Sequence, residues 1–131
     1  MEKRPHPGSE RPLRGSVQRF DLSEEGRRLR SERTYEERRR NAITLRKGEG
    51  MNVVLMTMGA GDRLDEHAAP GPFGLTVLEG RVRFEAAGEA SEVGEGVLIT
   101  CDAGVRHSVE ALEDALCLLT VAGARSGIGD S

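Results

Sequence analysis

From Asn41 onward the chain is a succession of short apolar runs separated by polar, glycine-containing breaks. The runs "NAITLRK" and "MNVVLMTM" read as strands, and the "GEG" between them is a hairpin signal. Six further runs follow: "DRLDEH", "FGLTVLE", "RVRFEA", "VLITC", "HSVEA" and "ALCLLTVA". "LEGRV" places a glycine turn between two of them, and "GEASEVGEG" reads as another polar turn. Eight short strands with no helical pattern between them predict an all-β chain, closed or sandwiched and antiparallel. Upstream the pattern changes. Residues 22–40 carry weak helical potential, and "TYEERRR" reads as a capping box with Thr34 as N-cap and Glu37 three residues on. Acids at its start and arginines at its end suit the helix dipole. Residues 1–19 are rich in Pro, Arg, Gly and Ser and are expected to be loosely attached. Three parts result: a flexible basic arm with a short helical segment (1–40), a β domain (41–122) and a frayed tail (123–131).

Composition narrows this picture. With 131 residues there is enough chain for one modest core. Aromatics make up only 3%, with no Trp, so Val, Leu, Ile, Ala and Met must fill that core. In particular, Met51, Met56 and Met58 are expected as barrel filling rather than a soft-metal site. The 17 glycines fit many tight turns. Two cysteines make no disulfide framework; Cys101 and Cys117 lie in apolar runs and are expected as buried thiols. No apolar run approaches the roughly 18 residues of a membrane span. The first residues lack the apolar segment of a secretory signal, so no membrane association and a reduced, cytoplasmic setting are expected.

The net charge of -3 hides an asymmetry. Residues 1–46 hold 13 Lys/Arg against 8 Asp/Glu, a net of +5, and residues 47–131 hold 6 against 14, a net of -8. A basic head raises nucleic acid as a partner. However, "SEEGRRLRSERTYEERRR" interleaves acids with its arginines and carries no Gly/aromatic RNA signature, so nucleic acid is set aside. The opposite charges allow the head to lie on its own β domain or on a second subunit.

The candidate chemistry lies in two glycine-framed segments. In the first, Gly61 is followed by five residues and His67, and Gly80 closes the segment; in the second stand Gly96, Asp102, Gly104, His107 and Ala111. Order and spacing resemble the two motifs of the cupin superfamily, over roughly residues 41–122. That resemblance implies a double-stranded β-helix, a jelly-roll-like barrel of two facing antiparallel sheets, with the short partly helical arm at its N-terminus. Measured against the family pattern, Ala69 stands at the second histidine and Phe73 at the glutamate. Asp102 replaces the proline and Ala111 the asparagine of the second motif. The 15 residues between the motifs resemble the short spacer of small bacterial cupins. The resemblance also implies a homodimer.

Positions two apart in a strand share a face. If His67 points into the barrel, Asp65 and Ala69 should follow; Phe73, Leu75 and Val77 would share the inner face of the next strand, and His107 and Val109 would line it from the second motif. Two imidazoles among apolar side chains suit a small-molecule pocket better than a four-ligand metal cage, since metal chemistry calls for three or four donors. Asp65, Glu66, Cys101 and Asp102 are the nearby candidates for a further donor, none at a family ligand position. Three readings stand open. The first is a small-molecule-binding cupin with no metal, or a weakly bound divalent ion, at His67 and His107. The second is a metal-dependent enzyme of the dioxygenase or isomerase type using both histidines. The third is a non-catalytic interaction module acting through the charged arm. Whether the chain is an enzyme stays open at this point. No P-loop, dinucleotide fingerprint or Ser/His/Asp grouping occurs.

Overall fold

A computed structural model describes residues 15–123; the expectations for residues 1–14 and 124–131 lie outside them. Two helices, α1 (Leu22–Ser31) and α2 (Arg33–Arg38), precede nine strands. These are β1 (Arg40–Arg46), β2 (Met51–Met58), β3 (Arg63–His67), β4 (Phe73–Glu79), β5 (Arg81–Ala86), β6 (Glu89–Gly94), β7 (Leu98–Cys101), β8 (His107–Ala111) and β9 (Ala115–Ala122). The first sheet runs β1-β2-β9-β4-β7 and the second β3-β8-β5-β6, with every pairing antiparallel. The mainly β, two-sheet architecture is the one the strand pattern predicts.

Alternation explains the core between the sheets. On β4, Phe73, Leu75 and Val77 are buried while Gly74 and Thr76 between them are only partly so. They meet Met56, Met58, Val82, Phe84, Val93, Val109, Ala111 and Cys117 in one cluster. Met51, by contrast, is exposed at the start of β2, so barrel filling falls to Met56 and Met58 alone. β2 is covered on both faces, because Leu55 points the other way into a second cluster with Leu29, Ile43, Leu45 and Leu116.

That second cluster is where the helices dock. Asp21 caps α1, its carboxylate accepting from the Glu24 N–H at 3.0 Å, a contact of about 1 kcal/mol in typical helices. Gly26 lets the helix approach the sheet closely: a Cβ there would stand 2.9 Å from a Leu116 methyl. Arg30 reaches Glu79 of β4 at 2.8 Å. Asn41 donates to the Leu29 carbonyl at 3.0 Å and to Glu32 at 2.9 Å, tying the helix end to β1. The helical part of the expected flexible arm is therefore packed, with Leu29 and Tyr35 buried. Thr34 is not a cap. The N-cap of α2 is Glu32, whose extended backbone breaks the helical run in two, and it makes no side-chain capping bond.

The "GEASEVGEG" stretch is a second correction. It turns only at its two ends, Gly88 with the preceding Ala87 (φ 78° and 53°) and Glu95–Gly96, and between them runs β6, paired to β5 from Ala86↔Glu89 to Arg81↔Gly94. Its side chains are exposed up to Val93, so it shows no apolar face in the sequence. "LEGRV" does turn between strands, but it carries the chain from one sheet to the other. Gly80 sits at φ 83°, and a Cβ there would overlap the Asp114 carbonyl oxygen, so glycine is required.

Candidate functional site

β3 and β8 bring His67 and His107 opposite each other. Their ring centroids are 4.2 Å apart. The pairing is not a plain ladder. Leu64 pairs with Val109 and His67 with His107, so three steps on β3 match two on β8. The extra residue is a β-bulge, and it reverses the side-chain parity between Leu64 and His67. Leu64 packs against the core, and Asp65, expected on the inner face, is instead exposed and held by Arg63 at 3.3 Å. Glu66 pairs with Arg106 at 3.4 Å.

The two imidazoles are oriented alike. His67 Nδ1 lies 3.0 Å from the Asp65 carbonyl, and His107 Nδ1 lies 3.1 Å from the Val105 carbonyl. A carbonyl only accepts, so each Nδ1 carries the hydrogen and each neutral ring keeps its lone pair at Nε2. Their surroundings differ. His67 is exposed at the barrel mouth, whereas His107 is only 5% exposed. Phe73 lies 4.7 Å from the His107 ring, and Phe84 stacks on it at 5.7 Å with 17° between planes. Burial lowers the His107 pKa; the Val105 contact opposes this and the neighbouring His67 adds to it. His107 is therefore neutral at pH 7.

The other expected pocket residues divide by depth. Leu75, Val77 and Val109 are fully packed below the imidazoles. Ala69 lies beyond the end of β3, partly buried against the core, and its carbonyl accepts from Gly104 at 3.0 Å, which joins the two motif loops. Cys101 pairs across strands with Phe73 and is half-buried, its pKa raised by burial and then by Asp102. Cys117 is fully buried, and burial pushes its thiol up to about 11. Sequence reading missed Phe84 as a neighbour of His107; its place in "RVRFEA", alternating with arginines, was the available signal.

A family-type metal cage is not matched by these donors. Phe73 puts a ring against His107 where the motif has a carboxylate, and Ala69 offers a methyl group. Among the described residues no group of three or more His, Cys, Asp or Glu is placed to hold a metal ion.

A two-sheet barrel with paired glycine-framed loops and a histidine from each at the mouth is the arrangement of a cupin. The cupin domain family model matches residues 54–123, and the chain belongs to that family. A conserved protein of unknown function from Streptococcus pyogenes is similar over 90% of this chain and 97% of its own, at 22% identity and a TM-score of 0.66. A cupin 2 conserved barrel domain protein from Leptotrichia buccalis is 27% identical over 63% of this chain and 40% of its own, with a TM-score of 0.61. An RmlC-like cupin from Desulfovibrio desulfuricans is 24% identical over 71% and 91%, at 0.63. No curated protein matches. Among the described residues no helix is long and apolar enough to cross a membrane.

Proposed function

We propose that the barrel mouth is a small-molecule site anchored by a metal-poor imidazole pair, the metal motif of the family having degenerated at Ala69 and Phe73. The observation that carries this reading is the Phe73 ring packed on His107 at 4.7 Å, in place of a charged donor. Two Nε2 acceptors beside an apolar wall suit a ligand with a donor group and an apolar body, and two imidazoles alone hold a divalent ion weakly. Elemental analysis of protein purified without an affinity tag tests it. Divalent metal is expected to be substoichiometric and readily stripped by chelator. His67→Ala and His107→Ala should each remove what remains, and Ala69→His with Phe73→Glu should raise affinity. One tightly held metal per chain after dialysis against chelator would overturn the reading.

That outcome would move the metal-dependent enzyme forward, and one observation favours it. Pinning Nδ1 to a backbone carbonyl is the orientation that metal-binding histidines use. The interaction-module reading has less support, since α1 and α2 are committed to covering the first sheet.

We further propose that the chain forms a homodimer through the rest of that sheet face. One outward row runs Ile43–Leu55–Leu118–Thr76–Leu98. Its β1 and β2 members lie in the cluster beneath the helices, while Leu98 on the edge strand β7 is 58% exposed. The neighbouring row adds Gly74 and Thr100, so this region of β4 and β7 presents no charge. A second copy of the same face meets it without charge conflict.

A further inference from the structure

The outer face of the second sheet has a different character, and one part of it is hollow. Across its strands runs a row of alternating charge, Arg63–Glu110–Arg83–Glu92. In the next row Ser108 of β8 stands opposite Glu85 of β5 on one side and the β3 bulge on the other. A short side chain among long ones leaves a depression, which a bulge in the neighbouring strand bends open. The result is a groove of about 350 Å³ lined by Arg63, Glu66, Glu85, Arg106 and Ser108 and ended by the Ala87–Gly88 turn. Ser108 forms its floor and is only 6% exposed.

The charges of this groove are incompletely used. Arg106 holds Glu66 through a single contact at 3.4 Å, and Arg63 holds Asp65 at 3.3 Å and Glu110 at 3.6 Å. A guanidinium carries five N–H donors, so several remain on the β3–β8 wall. On the facing wall Glu85 has no cationic partner among the described residues. The lining is balanced, two arginines against two glutamates, so a lone anion or a lone cation would meet repulsion from one wall.

We propose that this groove binds a small zwitterion of the α-amino acid class. The ammonium group sits at Glu85, the carboxylate accepts from Arg106 and Arg63, and the Ser108 hydroxyl bridges the two walls. The site is separate from the imidazole pair: Ser108 and His107 are adjacent on β8 and face opposite sides of the sheet.

The test is a titration of the full chain followed by backbone amide NMR, with glycine and L-alanine as probes and N-acetylglycine, glycinamide and inorganic phosphate as controls. Saturable shifts at Ala87, Gly88 and Ser108 are expected for the intact zwitterions. Binding should weaken at least about tenfold when either end is capped, and by a similar factor in Glu85→Gln and Arg106→Gln. Both positions are exposed, Glu85→Gln keeps the side-chain size and Arg106→Gln shortens it, and unchanged spectra elsewhere would show that the fold is retained. Equal responses to N-acetylglycine or phosphate, no shift with glycine or L-alanine, or undiminished binding in both variants would overturn the proposal. Because His67 and His107 are untouched, failure here leaves the reading of the barrel mouth standing.

Discussion

His107 is an imidazole enclosed by rings, and its protonation is tied to folding. In the unfolded chain it takes up a proton near the usual value of about 6.5. In the folded protein burial lowers that value, so below about 6.5 the unfolded state binds more protons. Stability is therefore complete above this pH and declines as the pH falls toward the folded value, where the decline levels off. Urea midpoints measured from pH 7.5 down to 5 should show the decline in the wild type and a shallower one in His107→Phe. Equal slopes would mean that other groups govern acid sensitivity. At this scale the sequence was informative about identity and less so about direction. His67 and His107 were found from spacing, and Phe73 from its register in the motif, because side-chain type at fixed separations is what a linear string records. That Asp65 faces solvent was not legible, since the inserted residue on β3 follows from pairing with β8.

Among the elements, the β5–β6 hairpin shows both what the string displays and what it hides. Strands with an apolar face, such as β4 and β9, announce themselves through buried side chains at successive or alternate positions. β6 does not, because all of its residues before Val93 are exposed and it resembles a long turn. The actual turn is two residues long, with Ala87 at φ 53° and Gly88 at φ 78°. Positive φ at both central positions is the type I′ pattern, which asparagine followed by glycine accommodates far better than alanine does. Ala87→Asn is expected to stabilise the fold by about 0.5 to 1 kcal/mol. Chemical denaturation will register it as a higher midpoint with an unchanged slope; a lower midpoint would mean that the alanine is needed for another reason. The helices show a related blind spot. A capping box at Thr34 matched the local pattern, but Asn41 and Glu32, which divide and anchor the helical run, act through contacts with β1.

Taken whole, the molecule has two unlike exteriors. One sheet is apolar outside and mostly roofed by α1 and α2; the other is laced with arginine and glutamate across neighbouring strands. Cross-strand ion pairs of that kind add little stability at an exposed surface, yet they make the face a poor partner for nonspecific sticking. Association should therefore fall on the uncharged rows around Leu98. Leu98→Arg is expected to shift the protein toward monomer in analytical ultracentrifugation while leaving its melting temperature as a monomer nearly unchanged. A wild type that is monomeric at all concentrations, or a variant that dimerises as well as the wild type, would refute this interface.

The additional residue in β3 works as a change of phase between two stretches of one strand. Before it, Leu64 is in step with Val109; after it, His67 is in step with His107. Were β3 to pair with β8 without a bulge, its three-residue spacing could satisfy one of these pairings and not both. Deleting Glu66 would leave two steps on β3 against two on β8, so that a plain ladder would carry Leu64 and His67 inward together. The barrel's packing and its mouth chemistry are held in separate frames, and the bulge keeps them compatible.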